Sequence, residues 1–130
     1  MKNADNSMKV TGYEGTSTDV VIPETIDGCY VTSIESSAFA TNEIITSVVI
    51  SDRVTSIGMG AFCACNELAS VTIGSGVTSI GGQAFAYCMS LNNITFNGTT
   101  TEWKSISKYD EWSDGILASY VQCSDGTVSI

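Results

Sequence analysis

Five cysteines and no histidine bound the chemistry open to this chain of 130 residues. Without histidine, Ser-His-Asp and Cys-His catalysis are excluded, as are the usual zinc sites. Cys63-x-Cys65 has the closeness of a metal-binding pair, but no second pair stands at ligand spacing, so no metal is expected. An odd cysteine count cannot form a complete internal disulfide framework. Cys65 and Cys88 lie 23 residues apart, and strand spacing would set them ~4.8 Å from each other with side chains pointing the same way. That gap is slightly long for a relaxed disulfide, so a buried thiol ladder is expected, with Asn42 in the same slot earlier in the chain. Gly74-Ser75-Gly76 resembles half of a nucleophile elbow but lacks the G-x-S-x-G frame and any base; it reads as a turn. Gly58-Met59-Gly60 has no lysine in register for a phosphate loop. Asp110, Glu111, Asp114 and Asp125 form the densest acidic group. Their spacing does not match an EF-hand, so a solvated surface is the expectation, with calcium the alternative. Asn93-Ile94-Thr95 and Asn97-Gly98-Thr99 read as glycosylation sequons. No catalytic residue and no cofactor are expected.

Composition narrows the partners. Apolar residues make up 43% and charged residues 15% of the chain, which argues for one folded domain. Five basic residues against 14 acidic ones give a net charge of −9. With no basic patch to follow phosphates, nucleic acid and anionic membranes are poor partners. No run of apolar residues is long enough to cross a membrane. The opening MKNADNSMKV lacks the apolar core of a signal peptide.

The elements that must position these residues come from a repeat. VTSI occurs at 31–34, 54–57 and 77–80, and Ala-Phe at 38–39, 61–62 and 84–85. A third pattern, apolar-x-x-apolar-x-apolar, starts at Ile45, Leu68 and Leu91. Self-similarity at a fixed period of 23 residues marks a solenoid, because one short coil cannot bury its own apolar face. The expected fold is a solenoid with a parallel β-sheet, about four coils of period 23 and a capped C-terminus. Val20/Ile22, Val48/Ile50, Val71/Ile73 and Ile94/Phe96 alternate as inward ladders. A loop inserted after Ile22 turns at Asp27-Gly28. VTSI is a second extended piece, with Thr and Ser facing out or bridging coils. The glycines of GMGAF and GGQAF are expected to permit backbone angles that other residues resist. Phe39, Phe62 and Phe85 form an aromatic spine.

The boundaries follow. Residues 1–7 read as a flexible tail, 8–100 as the solenoid, and 101–130 as a C-terminal cap. MKVTGYEG adds a capping strand with Val10 and Tyr13. Trp103, Ile106 and Tyr109 stand at helical spacing, for a short helix over the open end. Ser124-Asp125-Gly126 turns a hairpin.

By alternation the outward residues of the main sheet are Asp19, Val21 and Pro23; Ser47, Val49 and Ser51; Ser70, Thr72 and Gly74; Asn93, Thr95 and Asn97. Val21, Val49, Thr72 and Thr95 form one ladder. Repeat proteins use such faces as contact surfaces, so partner contact is expected on Val21, Val49, Thr72 and Thr95, flanked by Asn93 and Asn97. The bland alternative is a merely soluble sheet face.

The unit from Leu68, L-x-x-V-x-I-x-x-x-V-x-x-I-x-x-x-A-F-x-x-C-x-x-L, resembles the leucine-rich repeat of BspA-like bacterial surface proteins. Ala61-Phe62-x-x-Cys65 and Ala84-Phe85-x-x-Cys88 match the family's Ala-Phe-x-x-Cys ending; the earlier coil departs with Asn42. TGYEGTSTDVVIPETIDG and the closing GTTTEWKSI…EW…VQCSDGT resemble the first coil and terminal segment of such proteins in gut anaerobes. The resemblance covers residues 8–130. It implies a leucine-rich repeat scaffold, secreted or at the cell surface, in a family associated with adhesion to host proteins and other cells. It supplies no catalytic motif. Free cysteines fit an anaerobic source. Two functions compete: a non-enzymatic module that binds protein or glycan, and a spacer that presents other domains. An enzyme is a distant third.

Overall fold

The computed structural model describes residues 2–130; Met1, the first residue of the expected tail, lies outside them. The chain runs β1 (Met8–Val10), β2 (Asp19–Ile22), β3 (Thr25–Ile26), β4 (Cys29–Ile34), β5 (Ser47–Ile50), β6 (Ser56–Ile57), β7 (Ser70–Ile73), β8 (Ser79–Ile80) and β9 (Asn93–Phe96). Helix α1 (Thr100–Ser105) follows, then β10 (Ser107–Lys108), β11 (Tyr120–Cys123) and β12 (Gly126–Ser129). Each coil gives one strand to each of two sheets. The main sheet is ordered β12-β11-β9-β7-β5-β2, and the second β1-β4-β6-β8-β10 with β3 paired to β4. Both are parallel solenoid walls except for the hairpin partners β3 and β12.

The repeat produces this winding because equal slots bury equal residues. Val48, Val71 and Ile94 lie in register on neighbouring strands and are all buried, as are Ile50, Ile73 and Phe96. In the second wall Val31, Val54 and Val77 point inward with Ile34, Ile57 and Ile80. The threonines between them bridge coils: Thr55 Oγ1 donates to Thr32 O and Thr78 Oγ1 to Thr55 O, each at 3.1 Å. Phe39, Phe62 and Phe85 stack face to face, with centroids 4.8 and 5.1 Å apart and planes within 6° and 1°. Tyr13 closes one end of the stack at 5.8 Å, and Trp112 meets the other edge-on at 6.4 Å.

The third side of each coil is the Ala-Phe turn, and it too is bonded coil to coil. Phe39 N–H donates to Ala61 O, Phe62 N–H to Ala84 O and Phe85 N–H to Trp112 O. Two left-handed residues flank each turn: Ser37 and Thr41, Gly60 and Ala64, Gln83 and Tyr87. The expectation for the glycines is therefore corrected. Of Gly58, Gly60, Gly81 and Gly82, only Gly60 has positive φ, and its slot elsewhere holds Ser37 or Gln83. Gly58 and Gly81 are needed for approach instead: a Cβ on Gly81 would lie 2.5 Å from Met59 N and one on Gly58 2.5 Å from Ser36 N.

Both end coils are longer than the middle ones. Asp19 pairs with Ser47, and Ser79 with Ser107, an offset of 28 residues in each case. In the first coil the extra residues form the β3–β4 hairpin, whose Asp27 and Gly28 both have positive φ, the geometry of a tight two-residue turn. In the last they form α1. Thr99 caps it: its hydroxyl accepts the Glu102 N–H, and Glu102 Oε1 accepts the Thr99 N–H in return. Asp125, on the β11–β12 turn, accepts the Thr100 N–H at 2.8 Å. Six residues are too few to hold a helix unaided; these caps and buried Trp103, 5.3 Å from the Phe96 ring and 5.6 Å from Trp112, supply the rest. Ile106 is also buried, but Tyr109 is outside the helix and exposed. The helical spacing fails there because the chain has already turned into β10. Past β10 the coil is completed: Glu111 and Gly115 repeat the left-handed pair, and Val121 pairs with Ile94.

At the other end residues 2–7 fold back, with a bridge from Lys2 to Met8 and Asn3 N–H donating to Ser7 O at 2.6 Å.

Candidate functional site

The outer face of the main sheet is built by alternation in four-residue strands, so every inward β-branched residue sets an outward neighbour. Register brings Val21, Val49, Thr72, Thr95 and Gln122 into one row. Val21 is 66% and Val49 39% exposed, while Thr72 and Thr95 are half-buried. Asn93 lies opposite Ser70 in the adjacent row and is exposed; Asn97, also exposed, follows β9 with its N–H on Ile73 O at 3.0 Å. All six expected contact residues thus lie on one sheet face, four in a single row. The sequence reading missed Tyr120 and Gln122, which extend the two rows onto β11. A signal was available: Tyr-Val-Gln-Cys alternates before the Ser124-Asp125 turn. It lacked the repeat spacing that identified the other strands.

The face has two unlike halves. Near β2, side-chain hydroxyls are engaged within the fold: Ser47 Oγ donates to Asp19 Oδ1 at 2.6 Å and Ser51 Oγ to Pro23 O at 3.4 Å. Beside them the Val21–Val49 pair is apolar. Toward β11 the side chains are amides, hydroxyls and one phenol.

Several of the remaining reactive groups are bonded within the fold. All five cysteines are free. Cys65 Sγ donates to Phe39 O and Cys88 Sγ to Phe62 O, each at 3.0 Å, so each thiol ties its coil to the one before. Asn42, in the same slot, instead accepts the N–H groups of Ile44 and Ile45. The neighbouring Cys65 thiol, then burial, push the Cys88 thiol up, so it stays protonated at neutral pH. Cys123 is an inward main-sheet residue, and burial raises it too. Among the described residues no group of His, Cys, Asp or Glu is placed to hold a metal ion. Of the acidic group, Asp125 is committed to α1, and Glu111 accepts from Gln83 Nε2 at 3.2 Å. Ser75 sits in the turn between β7 and β8, with its N–H on Asp52 Oδ1. Lys108 Nζ donates to Trp103 O and Ile106 O, where burial pushes the ammonium down.

The model for the BspA type leucine rich repeat region matches residues 16–110 in six copies. The chain belongs to that family. The BspA-type repeat is thus the 23-residue coil described above, wound as a parallel-sheet solenoid. Three solved structures share the winding. A leucine-rich repeat protein from Bacteroides capillosus is 29% identical with a TM-score of 0.77, over 94% of this chain and 90% of that one. A leucine rich cell surface protein from Faecalibacterium prausnitzii is 29% identical with a TM-score of 0.64; the match covers 95% of this chain and 40% of that longer one. The leucine rich repeat protein of T. pallidum, 21% identical with a TM-score of 0.66 over 93% of this chain and 66% of that one, shares the fold. Comparison with curated proteins found no match. Among the described residues no helix is long and apolar enough to cross a membrane.

Proposed function

We propose that this BspA-type module is a non-enzymatic interaction domain of a secreted or cell-surface protein, and that it binds a protein or glycan through the outer face of its main sheet. The observation that carries the reading is the registered row Val21–Val49–Thr72–Thr95–Gln122, which opens with two exposed valines on a flat, mostly uncharged surface. Scattered apolar residues on a surface mean little, but two adjacent in one row of a regular sheet favour contact. Asn93 and Asn97 flank the row. A surface location is supported by the cell-surface protein of F. prausnitzii that shares the fold.

The test is a panel of immobilised host proteins and glycans probed with the parent chain and Val49→Glu. The substitution adds a charge to the face and none to the core, so the melting temperature is expected to stay and the binding of a protein partner to be lost. A protein partner held equally well by both chains would remove the Val21–Val49 half of this face as its site. The second reading, a spacer that presents other domains, is favoured by the match to 40% of a longer surface protein. A panel on which nothing binds would leave the spacer in place.

A further inference from the structure

We propose that the β9–β11–β12 half of the main-sheet face is a binding site for a neutral oligosaccharide, with Tyr120 as its platform. The proposal rests on the reading of this face as a contact surface and adds the ligand's chemistry and position. Register sets the site. Val121 pairs with Ile94, so Tyr120 stands beside Asn93 and Gln122 beside Thr95. The antiparallel return strand adds Ser129 opposite Tyr120 and Thr127 opposite Gln122, on the same side of the sheet.

Three properties of these six residues point to sugar. First, Tyr120 is 52% exposed, and its ring and hydroxyl make no aromatic contact or hydrogen bond among the described residues. A pyranose offers an apolar C–H face, and a phenol ring presents a matching apolar surface with a polar tip. Second, the side chains of Asn93, Thr95, Thr127 and Ser129 make no hydrogen bond within the described residues, unlike Ser47 and Ser51 in the other half. Gln122 spends its Nε2 on Cys123 O and Gly126 O and leaves its Oε1 open. Amides and hydroxyls combine donor and acceptor capacity, as sugar hydroxyls require. Third, none of the six is charged, in a chain of net charge −9. A sialylated or sulfated glycan, or a basic peptide, finds no counter-charge here, whereas a neutral sugar needs none. The groups also sit on hydrogen-bonded strands rather than loops, so little ordering cost opposes binding.

The experiment exposes the whole chain to an array of neutral glucose-, galactose-, mannose- and N-acetylglucosamine-containing oligosaccharides beside sialylated and sulfated ones. Neutral members are expected to be retained. Tyr120→Ala should lower their affinity about tenfold or more, a hot-spot effect, and Tyr120→Phe should keep most of it. Val49→Glu should leave it within about twofold. Tyr120 is exposed, so each variant should melt like the parent. Failure to retain any neutral oligosaccharide, preference for the charged ones, or full binding by Tyr120→Ala would each overturn the proposal. A protein ligand lost with Val49→Glu and kept by Tyr120→Ala, with no neutral oligosaccharide retained, would overturn the proposal while leaving the face as a contact surface.

Discussion

Phe62 has a ring on each side and no exposed surface. Its truncation cannot be refilled, because Phe39 and Phe85 are held by their own coils. Phe62→Ala should cost about 3–5 kcal/mol, as large aromatic deletions in cores do, and should lower the denaturant midpoint in proportion; a midpoint equal to the parent's would refute the stack. The Ala-Phe-x-x-Cys ending was legible as a burial pattern because the same slot recurs with the same residue. The role of its last member was not. Burial alone would allow alanine at the cysteine slot, but the thiol also donates to the phenylalanine carbonyl of the preceding coil, a pairing across 26 residues that spacing of 23 does not announce.

The elements are held by closeness between coils as much as by strand pairing. At Gly81 the missing side chain lets the backbone of one coil lie on Met59 of another. The clashing atoms are backbone and cannot swing aside, so Gly81→Ala should destabilise by about 1–3 kcal/mol, the usual cost of overpacking. Thermal unfolding checks this, and an unchanged or higher melting temperature would mean that the coils can part without loss. The inner strands were readable from period and alternation together. The last coil was harder, because α1 lengthens it and Trp112 replaces alanine at the turn whose carbonyl receives the Phe85 N–H. What persists there is backbone conformation, Glu111 and Gly115 at positive φ, and non-glycine left-handed residues leave no mark in composition. Tyr120 escaped the sequence reading for the same reason, since its place on the face follows from a coil that the repeat does not spell.

At the scale of the molecule, stability is a sum over neighbouring coils. Residues 54–76 span one repeat of 23, and their removal joins Arg53 to Val77. The equal slots then place Phe39 on Phe85, Val48 on Ile94 and Ile34 on Ile80. The shortened chain is expected to fold cooperatively with a lower melting temperature and the circular-dichroism shape of the parent; a chain that fails to fold would show that the coils are not interchangeable. The contact face would lose only its middle strand, with Val49 moved next to Thr95. The same stacking has a mechanical side. The hydrogen bonds between coils run along the solenoid axis, so tension applied between the two ends opens them one rung at a time rather than shearing many together. Each 23-residue coil that peels away releases roughly 80 Å of extended chain, and the coils still wound keep their bonds. Under a pull the scaffold behaves as a tether that yields in steps.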